Sequence, residues 1–238
     1  MADSPRPKHT YGRIDKDYAI ALATHAPDND GPIYMVNLMK YHEVAQYSDD
    51  VGVQRQISGR EADDRYNPAS ILAKIGATVL FVGDVVESHV GSDEWDRIAV
   101  VRYPTRKAFI DMQARQDFGE KHVHKAAGME RTIIVCCRPE DATLDERGRP
   151  TASDDRLVAM VVRRTSNRIA ACEALPGATN FVAEGTIIGD GRTWDTVQFV
   201  PVTSSGSVES LATSLSATVD GDLYVMTIRV SMDSITQD

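Results

Sequence analysis

The chain has 238 residues, enough for one large domain or two small ones, and its 42% hydrophobic and 26% charged residues are usual for a globular protein. This composition argues against disorder, a coiled coil and a disulfide scaffold. No apolar run approaches the ~18 residues that cross a bilayer, and the polar start lacks a signal-peptide core. The sequence therefore predicts a cytoplasmic protein without a membrane partner.

Charge and cysteine content narrow the classes of partner. The formal net charge is −9 at pH 7, and an acidic surface repels phosphate backbones and anionic lipid. We therefore expect no nucleic-acid partner. The three cysteines are an odd number without CxxC spacing. They are typical of reduced thiols and indicate neither a disulfide nor a zinc site.

The hydrophobic pattern predicts an N-terminal extension at 1–31, with a short helix at about 17–25, and then two series of elements. The first series is a strand at 33–41, a helix at 58–75, strands at 78–90 and 96–103, a helix at 105–115 and a strand at 132–138. The second series starts with a strand at 157–164 and a short helix at 166–175, continues with a hairpin that turns at 189–191, and ends with a helix at 207–216 and a strand at 223–230.

An internal repeat supports reading the two series as copies. Gly76-Ala77-Thr78 recurs as Gly177-Ala178-Thr179, and Trp95-Asp96 recurs as Trp194-Asp195. The segment at 139–155 between the copies has the composition of a linker. We therefore expect a first unit at 32–138 and a second unit at 156–238.

The order strand, helix, strand, strand, helix, strand is that of the split βαβ, or ferredoxin-like, unit, an α+β arrangement with helices on one face of its sheet. The bare face needs a partner. Two units in one chain can pack sheet to sheet and form an intramolecular α/β-barrel. A duplicated chain can still form a homodimer through its second copy.

The first copy also resembles a known family. The resemblance lies in Tyr34-Met35-Val36-Asn37-Leu38-Met39-Lys40-Tyr41, in Gly76-Ala77, and in Trp95-Asp96 followed by Val101-Arg102-Tyr103-Pro104-Thr105. On the basis of these residues, the segment 32–138 resembles the domain of unknown function 1330 family, which belongs to the dimeric α/β-barrel superfamily. The resemblance implies the barrel fold but no particular activity. The superfamily is similar in architecture to cofactor-free monooxygenases, haem-degrading enzymes, muconolactone isomerases and ligand sensors.

Histidines and lysines, which can exchange protons in catalysis, are absent from the second copy. All six histidines and all seven lysines precede residue 126. The chain has no GxGxxG, GxxxxGK, GxSxG or HExxH motif. We therefore place any acid–base site in the first copy, with the second copy as wall and scaffold.

The densest cluster of such groups contains His122 and His124. Residues two apart face the same way on a strand but diverge by about 200° on a helix, so the local structure decides whether the two imidazoles form a pair. One of them would be a general base. A His-x-His metal site would need further ligands, for which His42 is a candidate, and we predict no metal.

The first strand carries Asn37 among apolar residues. Alternation puts Asn37 on one face with Met39 and Tyr41. A buried amide must find hydrogen-bond partners, from neighbouring backbone or from a polar ligand in the barrel interior. In the second case, Asn37 would be catalytic, with its amide stabilising an enolate or oxyanion, and Met39 and Tyr41 would bind substrate.

Four further residues are predicted to bind substrate. Tyr66 precedes Asn67-Pro68, where the proline disturbs the helix and can turn the ring towards a cavity. Trp95 would line the same cavity, and Arg60 or Arg102 would meet a substrate carboxylate. Mixed charges around Arg60 are also usual on an exposed helix.

The function predicted from these residues is that of a small-molecule enzyme without an organic cofactor. It would perform acid–base proton transfer, as a lyase, isomerase or hydrolase, on a largely apolar carbonyl compound. Two alternatives remain open. One is a non-catalytic metabolite-binding protein, and the other is haem- or metal-dependent oxidation in the barrel.

Overall fold

A computed structural model describes residues 11–48, 56–146, 151–152, 156–167 and 173–236. Ten strands are present: β1 (Arg13–Ile14), β2 (Ile33–Tyr41), β3 (Thr78–Val90), β4 (Arg97–Tyr103), β5 (Met129–Pro139), β6 (Thr151–Ala152), β7 (Leu157–Thr165), β8 (Thr179–Gly189), β9 (Thr196–Val202) and β10 (Gly221–Asp233). Six α-helices are described: α1 (Lys16–Ala23), α2 (Gly59–Tyr66), α3 (Ala69–Lys74), α4 (Arg106–Gln113), α5 (Gln116–Gly128) and α6 (Ser205–Thr218).

Eight of the strands form a closed antiparallel barrel. The first half of the chain contributes neighbours in the order β5, β2, β4, β3, and the second half contributes β10, β7, β9, β8. The halves join where β3 pairs with β10 and where β5 pairs with β8. These two seams close the sheet on itself. The predicted α+β class with a barrel is therefore confirmed.

The barrel interior is filled with side chains from both halves. Alternation along β2 points Tyr34, Val36 and Leu38 inward, and each is at most 1% exposed. Phe81 from β3 and Phe199 from β9 meet at the centre, with ring centroids 4.9 Å apart. The interior is thus a hydrophobic core rather than a ligand chamber.

The outer face of the barrel carries two separate helical layers. On the first half, Met35 and Met39 of β2 join a core with side chains of the helices, including Leu72 and Phe118. On the second half, Val208 and Ala212 of α6 pack directly on β7 and β10. In the described ranges, no helix combines the length and apolar composition that a bilayer crossing requires.

Helices α2 and α5 cross at two glycines. A Cβ at Gly59 would lie 2.3 Å from the Gly128 carbonyl oxygen, and one at Gly128 would lie 2.4 Å from the Gly59 oxygen. Both distances are far below van der Waals contact, so any side chain here would force the helices apart. The crossing fixes how the side chains of α2 face those of α5.

The segment before β2 packs on the barrel. Strand β1 pairs with the end of β8, and the Thr132 amide donates to the Tyr11 carbonyl oxygen at 2.8 Å. Arg106 of α4 forms ion pairs with Asp30 and with Glu184 of β8. These contacts bring Tyr11 and α1 over the outer face of the first half.

Two predicted helices differ in the structure, and one helix was not predicted. The helix expected at 58–75 is two helices, because Pro68 cannot donate a backbone hydrogen bond and Asn67 has a φ of 22°. Helix α5 was not predicted at all. The helix expected at 166–175 falls partly on 168–172, which lie outside the described residues, and 173–175 are not helical.

Candidate active site

A cavity of about 690 Å³ lies between the first-half sheet and its helices. Its floor is the outer face of β2 and β4, so it lies on the opposite side of the sheet from the barrel interior. Most of its wall is apolar, with contributions from Met35, Met39, Leu72, Val101, Phe109, Ile110, Met112, Phe118, Ile134 and Ile187. A volume of this size suits an organic molecule of several rings.

Asn37 lies on the cavity floor and is 8% exposed. Its Nδ2 donates to the carbonyl oxygens of Met35 at 3.0 Å and Ala99 at 3.4 Å. Because both neighbours are acceptors, the amide nitrogen must face them. Both N–H groups are then used, and Oδ1 is the atom left for a ligand, so Asn37 presents an acceptor rather than the predicted oxyanion donor.

His122 stands in an aromatic enclosure on the helical side. It is 1% exposed and lines the cavity, and its Nε2 lies 2.8 Å from the hydroxyl oxygen of Tyr11. Its ring centroid lies 5.3 Å from that of Phe118 and 6.4 Å from that of Tyr66. Burial, aided by the charge of Asp63, raises the pKa of Tyr11. The phenol therefore stays protonated near neutrality and holds the imidazole in place.

Lys125 lies one helical turn after His122 and also lines the cavity. Its side chain is buried, with 9% exposure, and Nζ stands 5.5 Å from the centroid of the Tyr66 ring. Within the described ranges, Nζ has neither a hydrogen bond nor an ion pair. Burial lowers the pKa of Lys125, and the charge of Asp63 opposes that change only in part.

Tyr66 closes the cavity beside these two residues. It is 8% exposed and ends α2, next to the break at Pro68. Burial raises the pKa of Tyr66 well above its ordinary value, so the hydroxyl is protonated near neutral pH. This hydroxyl has no hydrogen-bond partner in the part of the chain that the structure describes. It is therefore able to donate to a ligand.

A charged network borders the cavity behind Tyr66. Tyr41 donates to Asp63 at 2.6 Å, and Arg97 contacts Asp64 at 3.1 Å and Asp84 at 3.2 Å. Arg60 also pairs with Asp84, at 2.9 Å. Asp63, Asp64 and Arg97 line the cavity. Tyr41 and Arg60 are not part of the lining, and they contact Asp63 and Asp84, respectively.

Arginine contacts control the ionisation of this network. Burial alone would raise the pKa of Asp84, but the guanidinium groups of Arg60 and Arg97 lower it overall. Both arginines are already paired with carboxylates, so a substrate carboxylate would have to displace Asp84 to reach Arg60. The network is therefore better suited to holding α2 in place than to binding an anion.

Three predicted site residues lie away from the cavity. His124 points to another side of α5, where Nδ1 is 2.7 Å from the Tyr47 hydroxyl oxygen. Trp95 is buried with the barrel core under Arg131, and Arg102 forms an ion pair with Asp145. The helix separates the two imidazoles, which do not form a pair.

Two cavity residues received no role in the sequence analysis. Tyr11 lies in the segment treated as an extension, and nothing in its sequence context points to His122. Lys125 had a usable signal, because Phe118, His122 and Lys125 are spaced by four and three residues, the interval of one helix face. Among the described residues, no group of three or more His, Cys, Asp or Glu side chains could hold a metal ion.

The comparisons with known proteins give only distant similarities. No family model and no curated protein matches the chain, so the resemblance to the domain of unknown function 1330 family stays a prediction. A solved protein of unknown function from Rhodopseudomonas palustris is 23% identical, with a TM-score of 0.47, over 55% of this chain and 98% of its own. An anthrone oxidase-like protein is 11% identical, with a TM-score of 0.49, over 85% of this chain and 92% of its own.

The isolated Lys125 ammonium predicts a pH-dependent stability difference. Lys125→Met should raise the free energy of unfolding at pH 7 by about 1 kcal/mol, because it removes a buried ammonium that has no ion-pair partner among the described residues. The folded-state pKa of Lys125 is lowered, so the unfolded chain binds more protons, and wild-type stability rises as the pH approaches 10.5. The difference in the free energy of unfolding between Lys125→Met and wild type should therefore decrease from pH 7 to pH 10.

Urea unfolding at several pH values measures this gap. The matched control is Lys121→Met on the same helix, whose Nζ bonds to the Asn67 carbonyl oxygen at the surface. A Lys125→Met gap that does not change with pH would contradict the assignment of a lowered pKa.

Proposed function

We propose that the protein is a small-molecule enzyme that transfers protons at carbon next to a carbonyl group. The proposal rests on one observation, the convergence of His122, Tyr66 and Lys125 on an apolar cavity. Most of the cavity wall is apolar, and an imidazole in such a place can serve as general base. No organic cofactor is needed for this step.

The roles follow from the hydrogen-bonding capacity of each side chain. His122 would remove and return the proton, and for this its Nε2–H would donate to the hydroxyl oxygen of Tyr11, the positioning partner, so that the other ring nitrogen carries the basic electron pair. Tyr66 would donate its free hydroxyl to the carbonyl oxygen and so stabilise the enolate. Asn37 would accept from a hydroxyl group elsewhere on the substrate through Oδ1, because its Nδ2 is already bonded to backbone carbonyl oxygens. Met39 would pack on the apolar body.

The chemical class of the substrate follows from the size and the lining of the cavity. The cavity of about 690 Å³ suits a largely apolar compound of two or three rings. It offers hydrogen-bond donors on one side and an acceptor on the floor, so we expect this compound to carry a carbonyl and a hydroxyl group. The Tyr41 and Arg60 network keeps α2, and with it Tyr66, over this compound. We assign no substrate contact to His124, Trp95 or Arg102.

Deuterium exchange into 2-tetralone tests the proposal without knowledge of the natural substrate. The protein should accelerate exchange of the protons next to the carbonyl in D₂O, followed by NMR, above the rate in buffer with free imidazole. Ala99→Phe, which fills the cavity floor, should remove the acceleration. Ligand-dependent thermal stabilisation without exchange would instead favour the metabolite-binding alternative.

We also propose that the chain is a duplication of ferredoxin-like units at 32–138 and 156–238, joined by 139–155. In support, numbering the strands within each half gives the same order, fourth, first, third, second. The halves then differ in their helical layers. A cavity remains under the helices of the first, and the described part of the second packs α6 directly on its sheet.

A further inference from the structure

Lys125 differs from the other charged residues around the cavity, because no counter-charge from the described part of the chain contacts its Nζ. Asp63, Asp64 and Arg97 neutralise one another at the cavity edge. Lys125 instead lies over the ring of Tyr66, in a side chain that is nine-tenths buried and lines the cavity. The amine is thus placed at the cavity beside an aromatic ring instead of in an ion pair.

The surroundings shift the protonation equilibrium of Lys125 towards the neutral amine. A desolvated ammonium without an ion pair is costly, and the cation–π contact with Tyr66 offsets only part of that cost. Burial accordingly lowers the pKa of Lys125. A neutral amine has a free electron pair and is a nucleophile towards carbonyl carbon, which is how desolvated lysines act in covalent catalysis.

Proton donors for such a reaction lie beside the amine. Tyr66 has a hydroxyl that the described residues leave without a partner, and its ring is the one that Nζ overlies. His122 projects from the preceding turn of α5, with its ring perpendicular to that of Tyr66. Loss of water from an amine–carbonyl adduct requires an acid at this point.

We propose that Lys125 forms a reversible imine with an aldehyde or ketone bound in the cavity. Nζ attacks the carbonyl carbon, a C–N bond forms, and the carbonyl oxygen takes up a proton. The oxygen then leaves as water after a second protonation, and the nitrogen loses its protons to give the C=N bond. Addition of water reverses every step, so no oxidant or reductant is consumed.

This inference rests on the proposed function in one respect, that the cavity admits a carbonyl compound. It also deepens that function, because an imine makes the adjacent C–H more acidic and gives His122 an easier proton to remove. Lys125 is then a catalytic residue that bonds to the substrate, and the chemical class of substrate is a reactive carbonyl compound with an apolar body.

Reductive trapping with 2-naphthaldehyde and cyanoborohydride tests the imine directly. This aldehyde has no proton on the carbon next to its carbonyl, so trapping is independent of proton transfer. Peptide mapping of the wild-type protein should place one naphthylmethyl group on Lys125. Labelling should be faster at Lys125 than at Lys121, because Lys125 lines the cavity that binds the aldehyde and burial lowers its pKa.

Variants provide the controls. Lys125→Met should abolish this adduct, and Lys121→Met should retain it, with both variants shown to be folded by thermal unfolding. An adduct confined to surface lysines, or no adduct at all, would overturn the inference. Exchange into 2-tetralone without trapping would contradict the imine but support the proposed function. Trapping without exchange would support the imine but contradict the proposed function.

Discussion

His122→Gln is expected to lower the rate of 2-tetralone exchange by about 10² to 10⁴, the usual cost of losing a general base. Glutamine can still bond to the Tyr11 hydroxyl, but it cannot take up a proton at neutral pH. The loss should appear in kcat with little change in KM, since the cavity wall is preserved. Initial exchange rates over a range of 2-tetralone concentrations separate the two quantities.

His124→Gln is the matched control for this substitution. It changes the same residue type on the same helix, but its imidazole bonds to Tyr47 outside the cavity. Its exchange rate should stay close to wild type. If His124→Gln lost as much activity as His122→Gln, or if His122→Gln remained fully active, the assignment of the general base would fail.

The second large effect concerns the barrel core. Phe81→Ala or Phe199→Ala should each destabilise the protein by about 3 to 5 kcal/mol, because both rings are 0% exposed and the surrounding barrel cannot collapse into the space. That is a large part of the ~5 to 15 kcal/mol that stabilises an ordinary domain. Urea unfolding measures the loss.

Two comparisons make this prediction specific. Phe109→Ala should cost less, because the Phe109 ring already borders the empty cavity and has fewer contacts to lose. The double variant Phe81→Ala with Phe199→Ala should cost less than the two single changes added together, since the rings share one space. Equal costs at Phe81 and Phe109 would show that the interior is not packed as described.

The strands were predictable because their side-chain pattern carries most of the information. Strands β2 and β3 match their predicted bounds, since each is a run rich in β-branched, aromatic and other apolar residues. The hairpin turn at Gly91, with a φ of 119°, was also readable from composition. The closed barrel followed from the order of these elements.

Helix α5 could not be found in the same way. It contains Gly119 and Gly128, and it begins without a side-chain cap at Arg115, so both propensity and capping signals are weak. Tertiary packing stabilises it, through Phe118 and the Gly59 crossing. Missing this helix left the direction of His124 open, which only the fold could decide.

The site itself was only partly predictable. Alternation grouped Asn37 with Met39, and both line the cavity, as do His122 and Tyr66. Sequence could not tell which face of the sheet held the cavity, because both faces of β2 are apolar. The prediction of a ligand in the barrel interior therefore differs from the structure, where that face is packed and the helical face is hollow.

The glycine crossing of α2 and α5 limits how the cavity can be re-engineered. Tyr66 extends from one of these helices, and His122 and Lys125 extend from the other, so their separation is set by main-chain atoms in contact. Because main-chain atoms have no rotamers to change, the arrangement of these three side chains around a ligand is rigid. Altered selectivity must come from elsewhere, through wall residues of α3 and α4 such as Leu72 and Ile110, which can be exchanged without disturbing the chemistry.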